Sequence, residues 1–214
     1  MARPRVLLAD DHRIFSEGLK HILEPQFEIV GIVADGRDLI AAAARLRPDV
    51  VVADISMPSL NGIDASRQLR RMSRAPGIVF LTMHEDATFA RSAFRAGASG
   101  YVLKRSAPAE IMTAIQEAAQ GRLYISRLLG GELRNILIKA REKPERLKAD
   151  LTARQRQILQ LFAEGKVPKE IAGILSISAR TVEFHKYRLF QATGARTFAD
   201  LTRYAIAHGI VQAS

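Results

Sequence analysis

The chain has 214 residues, 48% of them hydrophobic, and no cysteine. That is enough apolar chain for two cored domains, and it excludes disulfides and thiolate metal sites. The net charge is +10, carried as 16 basic against 14 acidic groups over residues 1–123, 7 against 3 over 124–149, and 9 against 5 over 150–214. The excess therefore lies in the C-terminal part, as contact with a polyanion requires, although a solvated basic surface has the same composition. The opening MARPRVLLADDH is too short for a signal-peptide core, and no run approaches the ~18 apolar residues of a membrane span. These features predict a soluble, cytoplasmic protein.

Along the first 120 residues, short apolar runs alternate with longer amphipathic ones. RVLLA (5–9), EIVGIV (28–33), DVVVA (49–53), GIVFLT (77–82) and GYVLK (100–104) are predicted strands. Helices are predicted near 13–23, 37–46, 63–73, 86–96 and 108–120. Strands that are apolar on both faces and separated by helices predict a doubly wound, five-stranded parallel sheet covered on both sides. The first domain is assigned to residues 1–121 and a partly helical linker to 122–148. Within that linker, KAREKPERLK (139–148) is charged and carries Pro144.

Residues 149–214 are purely helical in texture. Thr152 and Gln155 form a capping-box pattern, and Gly165 ends that first helix. A short helix over 168–175, the turn SISAR, a helix over about 179–192 and a last helix from near Thr197 complete a small four-helix domain containing a helix-turn-helix.

In an open parallel sheet, ligands bind beyond the carboxyl ends of the strands. Asp10 and Asp11 follow the first strand and Asp54 the third, Thr82 ends the fourth, and Lys104 ends the fifth. Three neighbouring carboxylates repel unless a cation joins them, and an all-oxygen set suits a hard divalent ion such as Mg2+. Lys104 offers a point charge and Thr82 a hydroxyl to a phosphate oxygen. One aspartate could then serve as nucleophile toward a phosphoryl group. Two enzyme readings fail on particular residues. A haloacid-dehalogenase-type phosphatase wants a second Asp at position 56, which is Ser56, and DDHRIFSEG (10–18) lacks the glycine pattern of a dinucleotide site.

LLADDH, VVADISMPSLNGID, FLTMHED and AGASGYVLK, within residues 5–121, resemble the receiver domain of bacterial two-component response regulators. The resemblance implies a flavodoxin-like fold with Asp54 as phosphoacceptor. It also implies Mg2+ bound by Asp11 directly, by Asp10 mainly through water, by Asp54 and by the backbone carbonyl of Ser56. Thr82 and Lys104 would grip the phosphoryl group, and Thr82 and Tyr101 would form the switch, the Tyr101 ring swinging inward on activation. Pro58 restricts Met57 and stiffens the loop, and Gly62 is read as letting the chain turn back into a helix.

On the third C-terminal helix, Val182, His185 and Leu189 share one face at 100° per residue, the predicted core side. His185 is read as a packed histidine. Arg180, Glu183, Phe184, Tyr187 and Gln191 take the opposite face, with Lys186 and Arg188 on the flanks. Aromatic and polar groups there suit a DNA groove, with a protein partner as the lesser alternative for Phe184. LTARQRQILQLFAEG, KEIAGILSISARTVEFH and GARTFADL (151–208) resemble the LuxR/FixJ-type helix-turn-helix domain. By that resemblance Arg180, Thr181, Glu183, Phe184, Lys186, Tyr187 and Arg188 would contact double-stranded DNA, and the last helix would dimerise. Pro168, Glu183, Ala192 and Thr193 depart from that family's usual residues.

The combined expectation is a NarL/FixJ-type response regulator, not an enzyme beyond its own phosphotransfer. A histidine kinase phosphorylates it on Asp54, and it then forms a homodimer that regulates transcription on DNA. The alternative is a receiver-domain protein that acts through protein contacts and keeps a vestigial DNA-binding domain.

Overall fold

The computed structural model describes residues 3–85, 87–106, 108–129 and 151–212, and the chain divides into two compact units. The first is a parallel sheet of β1 (Arg5–Ala9), β2 (Glu28–Val33), β3 (Val50–Ala53), β4 (Gly77–Thr82), β5 (Gly100–Leu103) and β6 (Tyr124–Ile125). Their order across the sheet is β2-β1-β3-β4-β5-β6. Five helices connect or follow the strands: α1 (Arg13–Leu23), α2 (Gly36–Leu46), α3 (Gly62–Leu69), α4 (Ala87–Arg95) and α5 (Pro108–Ala119).

The two-residue period of a strand sends alternate side chains to opposite faces, and both faces are covered. Leu7, Val51, Ala53, Ile78, Phe80 and Tyr101 pack with buried residues of α2, α3 and α4. Val6, Leu8, Val52, Val79, Leu81 and Val102 pack with buried residues of α1 and α5. This two-sided burial is why the strands read as unbroken apolar runs.

The sheet has six strands rather than the five expected. Gly100 pairs with Tyr124 and Tyr101 with Ile125, and Ile125 joins the core. Residues 122–129, placed with the linker on sequence grounds, thus include a strand of the first unit, while the remainder of that segment, 130–148, lies outside the described residues. Helix α3 stops at Leu69 instead of continuing to 73, because its end tightens into three-residue turns. Arg71 N–H donates to the Gln68 carbonyl and Met72 N–H to the Leu69 carbonyl, both at 3.0 Å.

The second unit contains α6 (Ala153–Ala163), α7 (Pro168–Leu175), α8 (Ala179–Thr193) and α9 (Phe198–Ala207). Thr152 and Gln155 form the expected reciprocal cap on α6, and Thr197 and Asp200 do the same on α9. Such caps are worth about 1 kcal/mol each. Pro168 occupies the first turn of α7, where its missing N–H costs nothing, and the Glu170 carboxylate accepts the Val167 N–H at 2.8 Å. Ser178 caps α8, and Gly194, at φ 70°, ends it in the left-handed conformation. Ile158, Leu159, Leu161, Ile171, Val182, Leu189, Leu201 and Ala205 form the core of this unit.

Candidate functional site

The order of strands reverses between β1 and β3, which places the ends of these two strands side by side. Ala9 and Ala53 are register partners, and the Asp54 N–H donates to the Ala9 carbonyl at 2.8 Å. Asp10 and Asp54 therefore leave the sheet as neighbours, both nearly buried.

Lys104 spans them. Its N–H donates to the Thr82 carbonyl at 2.8 Å, extending the β4–β5 ladder by one position. Its ammonium then lies 2.7 Å from Asp10 Oδ2 and 2.7 Å from Asp54 Oδ2, and 4.9 Å from the centre of the Phe15 ring. Burial opposes its charge, but the hydrogen bonds and attraction of Asp10 and Asp54 outweigh burial, so the ammonium titrates above its ordinary range. Asp54 Oδ1 also accepts the Ile55 N–H at 2.6 Å, with the Ser56 N–H at 3.4 Å.

Asp11 is exposed beside this pair. His12, not foreseen from the sequence, joins the cluster: its Nδ1 lies 3.1 Å from Asp10 and 3.0 Å from Asp11. Ligand atoms of Asp10, Asp11, His12 and Asp54 all fall within 4.8 Å of one another. A predominantly carboxylate set of this size fits a hard divalent cation.

Thr82 is fully buried, and its hydroxyl accepts the His84 N–H at 3.2 Å. The Tyr101 ring is also fully buried and its hydroxyl donates to the His84 carbonyl at 2.8 Å. His84 is a second residue the sequence did not single out, and nothing in its local pattern marks it.

The loop after Asp54 turns tightly. Ser59 takes a left-handed φ of 64° beyond Pro58, and the Gly62 N–H donates to the Ile55 carbonyl at 2.9 Å. Gly62 opens α3, as expected, and does so without a left-handed conformation. A Cβ there would lie 2.0 Å from the Asp54 carbonyl oxygen, and close approach of backbone to backbone is what requires glycine.

In the second unit, Val182 and Leu189 of α8 are buried and His185 is half-buried, as the helical phase predicted. Partial burial, reinforced by the Arg154 charge, lowers the pKa of His185. Arg180, Glu183, Phe184, Tyr187, Arg188 and Gln191 are exposed. The Arg188 guanidinium lies 5.5 Å from the Phe184 ring centre, and Gln191 Nε2 donates to the Tyr187 hydroxyl at 2.7 Å. Lys186 is half-buried and paired with Glu183. Thr181 is engaged in the cap of its own helix, its hydroxyl 2.8 Å from Ser178 Oγ.

No helix among the described residues is long and apolar enough to cross a membrane. Two family models match the chain: "Response regulator receiver domain" over residues 6–116 and "Bacterial regulatory proteins, luxR family" over 149–205. The response regulator UvrY of Escherichia coli K12 is 33% identical over 210 residues, covering 97% of this chain and 96% of UvrY. The transcriptional regulatory protein MctR of Rhizobium johnstonii is 37% identical over 209 residues, covering 97% and 95%. Among solved structures, the RcsB response regulator of Salmonella typhimurium is similar with a TM-score of 0.64 at 26% identity, covering 97% of this chain and 99% of that one. An RcsB–DNA complex is similar with a TM-score of 0.56, also at 26% identity, covering 96% and 99%. A receiver match over more than half the chain, a LuxR-type match over the helical unit and response-regulator relatives matched over 97% of this chain together place this protein in the NarL/FixJ family of two-component response regulators.

Proposed function

We propose that Asp54 accepts a phosphoryl group from a histidine kinase and that phosphorylation leads the chain to form a homodimer that binds double-stranded DNA through α8 and regulates transcription. The observation that carries the first half is the cluster at the β1 and β3 ends: the buried carboxylates of Asp54 and Asp10, bridged by Lys104, with Asp11 beside them. Asp10, Asp11, Asp54 and the Ser56 carbonyl would hold Mg2+, which when bound neutralises charge on the phosphoryl oxygens.

The chain's own residues do the rest. A carboxylate oxygen of Asp54 bonds to phosphorus as the bond to the donor breaks and its electron pair leaves with the donor. Lys104 already bridges Asp54 and Asp10 through its ammonium, so a short swing brings its charge onto the transferred group. The Thr82 hydroxyl, now accepting from the His84 N–H, turns to donate to a phosphoryl oxygen. The Tyr101 ring is already buried, contrary to an inward swing from an exposed position, and its bond to the carbonyl of His84 supports a switch role in which it would stay inward.

On α8, Phe184 and Tyr187 would meet base edges and thymine methyls, and Glu183 would accept from an exocyclic amine. Arg180, Lys186 and Arg188 supply phosphate contacts, and Thr181 serves the helix start more than the groove. The similarity to an RcsB–DNA complex supports this reading.

A gel-shift series against salt, on the full chain with and without acetyl phosphate and Mg2+, tests the whole. The expected result is salt-sensitive binding strengthened by the acyl phosphate. A well-folded chain with no salt-sensitive affinity for DNA in either state would favour the reading in which the helical unit is vestigial.

A further inference from the structure

Three side-chain ties run along the exposed face of α8. Glu183 pairs with Lys186. The Arg188 guanidinium sits over the Phe184 ring, 5.5 Å from its centre. Gln191 Nε2 donates to the Tyr187 hydroxyl at 2.7 Å. Each tie joins residues three or four apart, the spacing at which side chains of one helix meet. Tyr187 and Gln191 are both exposed, so their bond serves no core. What it fixes is the polar tip of Tyr187.

A phenol can donate its one proton or accept through its oxygen. An untethered hydroxyl rotates and can serve either way. With the Gln191 amide on its oxygen, the Tyr187 hydroxyl keeps its own proton to give, and accepting one bond strengthens it as the donor of another.

We propose that Gln191 is a positioning residue that makes Tyr187 a dedicated hydrogen-bond donor, and that this sets the preference of α8 for a base carrying an acceptor on its major-groove edge. The inference rests on the reading of α8 as the helix that contacts DNA. Guanine offers O6 and N7 and thymine offers O4, whereas cytosine offers only an amine. Cytosine is therefore rejected opposite Tyr187, because its amine and the hydroxyl would meet donor to donor. Glu183, one turn earlier, is an acceptor only and makes the opposite demand, an amine on cytosine or adenine. Phe184 lies beside it in sequence and suits a thymine methyl. The face thus presents an acceptor, an apolar ring and a donor in that order along the helix, and the ties reduce the side-chain freedom lost on binding.

A merely structural bond between Gln191 and Tyr187 would support the helix and leave sequence preference alone. The test separates the two. The full chain, in acetyl phosphate and Mg2+, is put through a binding selection from randomised double-stranded DNA, as wild type, Gln191→Leu, Tyr187→Phe, the double variant and Gln191→Glu. In wild type one position should disfavour cytosine by about three- to tenfold against guanine or thymine, the effect of one hydrogen bond. Gln191→Leu should weaken that discrimination and Tyr187→Phe should abolish it. The double variant should match Tyr187→Phe, since Gln191 acts only through the hydroxyl. Gln191→Glu places a carboxylate that takes the Tyr187 proton and turns the oxygen's lone pair to the base. Preference at that position should then move to cytosine or adenine, whatever the fall in overall affinity. The salt slope of Gln191→Leu should equal that of wild type, because no charge changes. An unaltered preference in both Gln191 variants, or a further change when Gln191→Leu is added to Tyr187→Phe, would overturn the proposal. A wild-type chain that selects no sequence would overturn the reading of α8 itself, and the proposal with it.

Discussion

The two units keep their chemistry in opposite places. In the first, Asp10, Asp54 and Thr82 are buried, and Lys104 packs between the two aspartates. In the second, Arg180, Glu183, Phe184 and Tyr187 project from α8 while Val182 and Leu189 hold that helix to the core. Charge follows the same division, since residues 1–123 carry +2 and residues 150–214, half as many, carry +4. The difference teaches where function and stability are coupled. A group buried at a strand end cannot be altered without disturbing its partners, whereas a group on the open side of a helix can.

The largest effect should come from Lys104→Ala. It leaves two buried carboxylates without their shared cation, and removing one member of a buried ionic cluster costs about 3 kcal/mol. Urea unfolding of the full chain in EDTA should show that loss in the first unit, and Mg2+ should restore much of it. Mg2+ affinity should stay similar or rise as one positive charge leaves. A large fall in Mg2+ affinity would mean that Lys104 supports the metal site and does not merely occupy it.

Gly62→Ala comes next. Its Cβ would press on the Asp54 carbonyl, and backbone cannot yield as a flexible side chain can, so the cost should be about 2 kcal/mol. The same unfolding experiment measures it. Phosphoryl gain should fall with it, because the displaced atom belongs to Asp54.

Changes on α8 should separate the two properties. The Phe184→Ala, Tyr187→Ala double variant should shift unfolding by less than about 0.5 kcal/mol per site, yet alter which DNA sequences are preferred in a binding selection. Arg180→Ala should weaken binding to all sequences alike and flatten the salt dependence by about one unit of slope. Loss of stability from the aromatic pair, with unchanged sequence preference, would break the contrast between the units.

The smallest effect concerns acid. Burial raises the pKa of Glu110, but hydrogen bonds from the Arg127 N–H, Ser106, Ser126 and Tyr124 more than offset it, leaving the carboxyl below its ordinary range. Its contribution is therefore fully present above the unfolded carboxylate pKa and is lost as pH falls through the lower folded value. Glu110→Gln should make the stability of the first unit less sensitive to pH in that acidic window. An unchanged pH profile would show that these bonds add nothing to the ionised form.

Much of this could be read from the residues, for reasons the structure makes plain. Strands buried on both faces leave long apolar runs, and their polar ends stand out, so β1 to β5 and the residues Asp10, Asp54, Thr82 and Lys104 were legible. Strand β6 was not, because Tyr124–Ile125 is only two residues long and carries no period. His84 was not legible for a different reason. His84 meets Ser56 across 28 positions of sequence through a contact that only the strand order creates. The exposed face of α8 followed from helical phase alone. That phase could not show that the Thr181 hydroxyl is spent on the helix cap or that Gln191 holds Tyr187.

Both the metal site and the switch depend on one carboxylate, Asp54, receiving the phosphoryl group. Intact mass of the full chain after incubation with acetyl phosphate and Mg2+, beside an Asp54→Asn variant that keeps the shape and removes one charge from a crowded acidic cluster, tests it most directly. The wild type should gain a single phosphoryl group and a well-folded variant none. Equal gain by both chains, at the same rate, would contradict it.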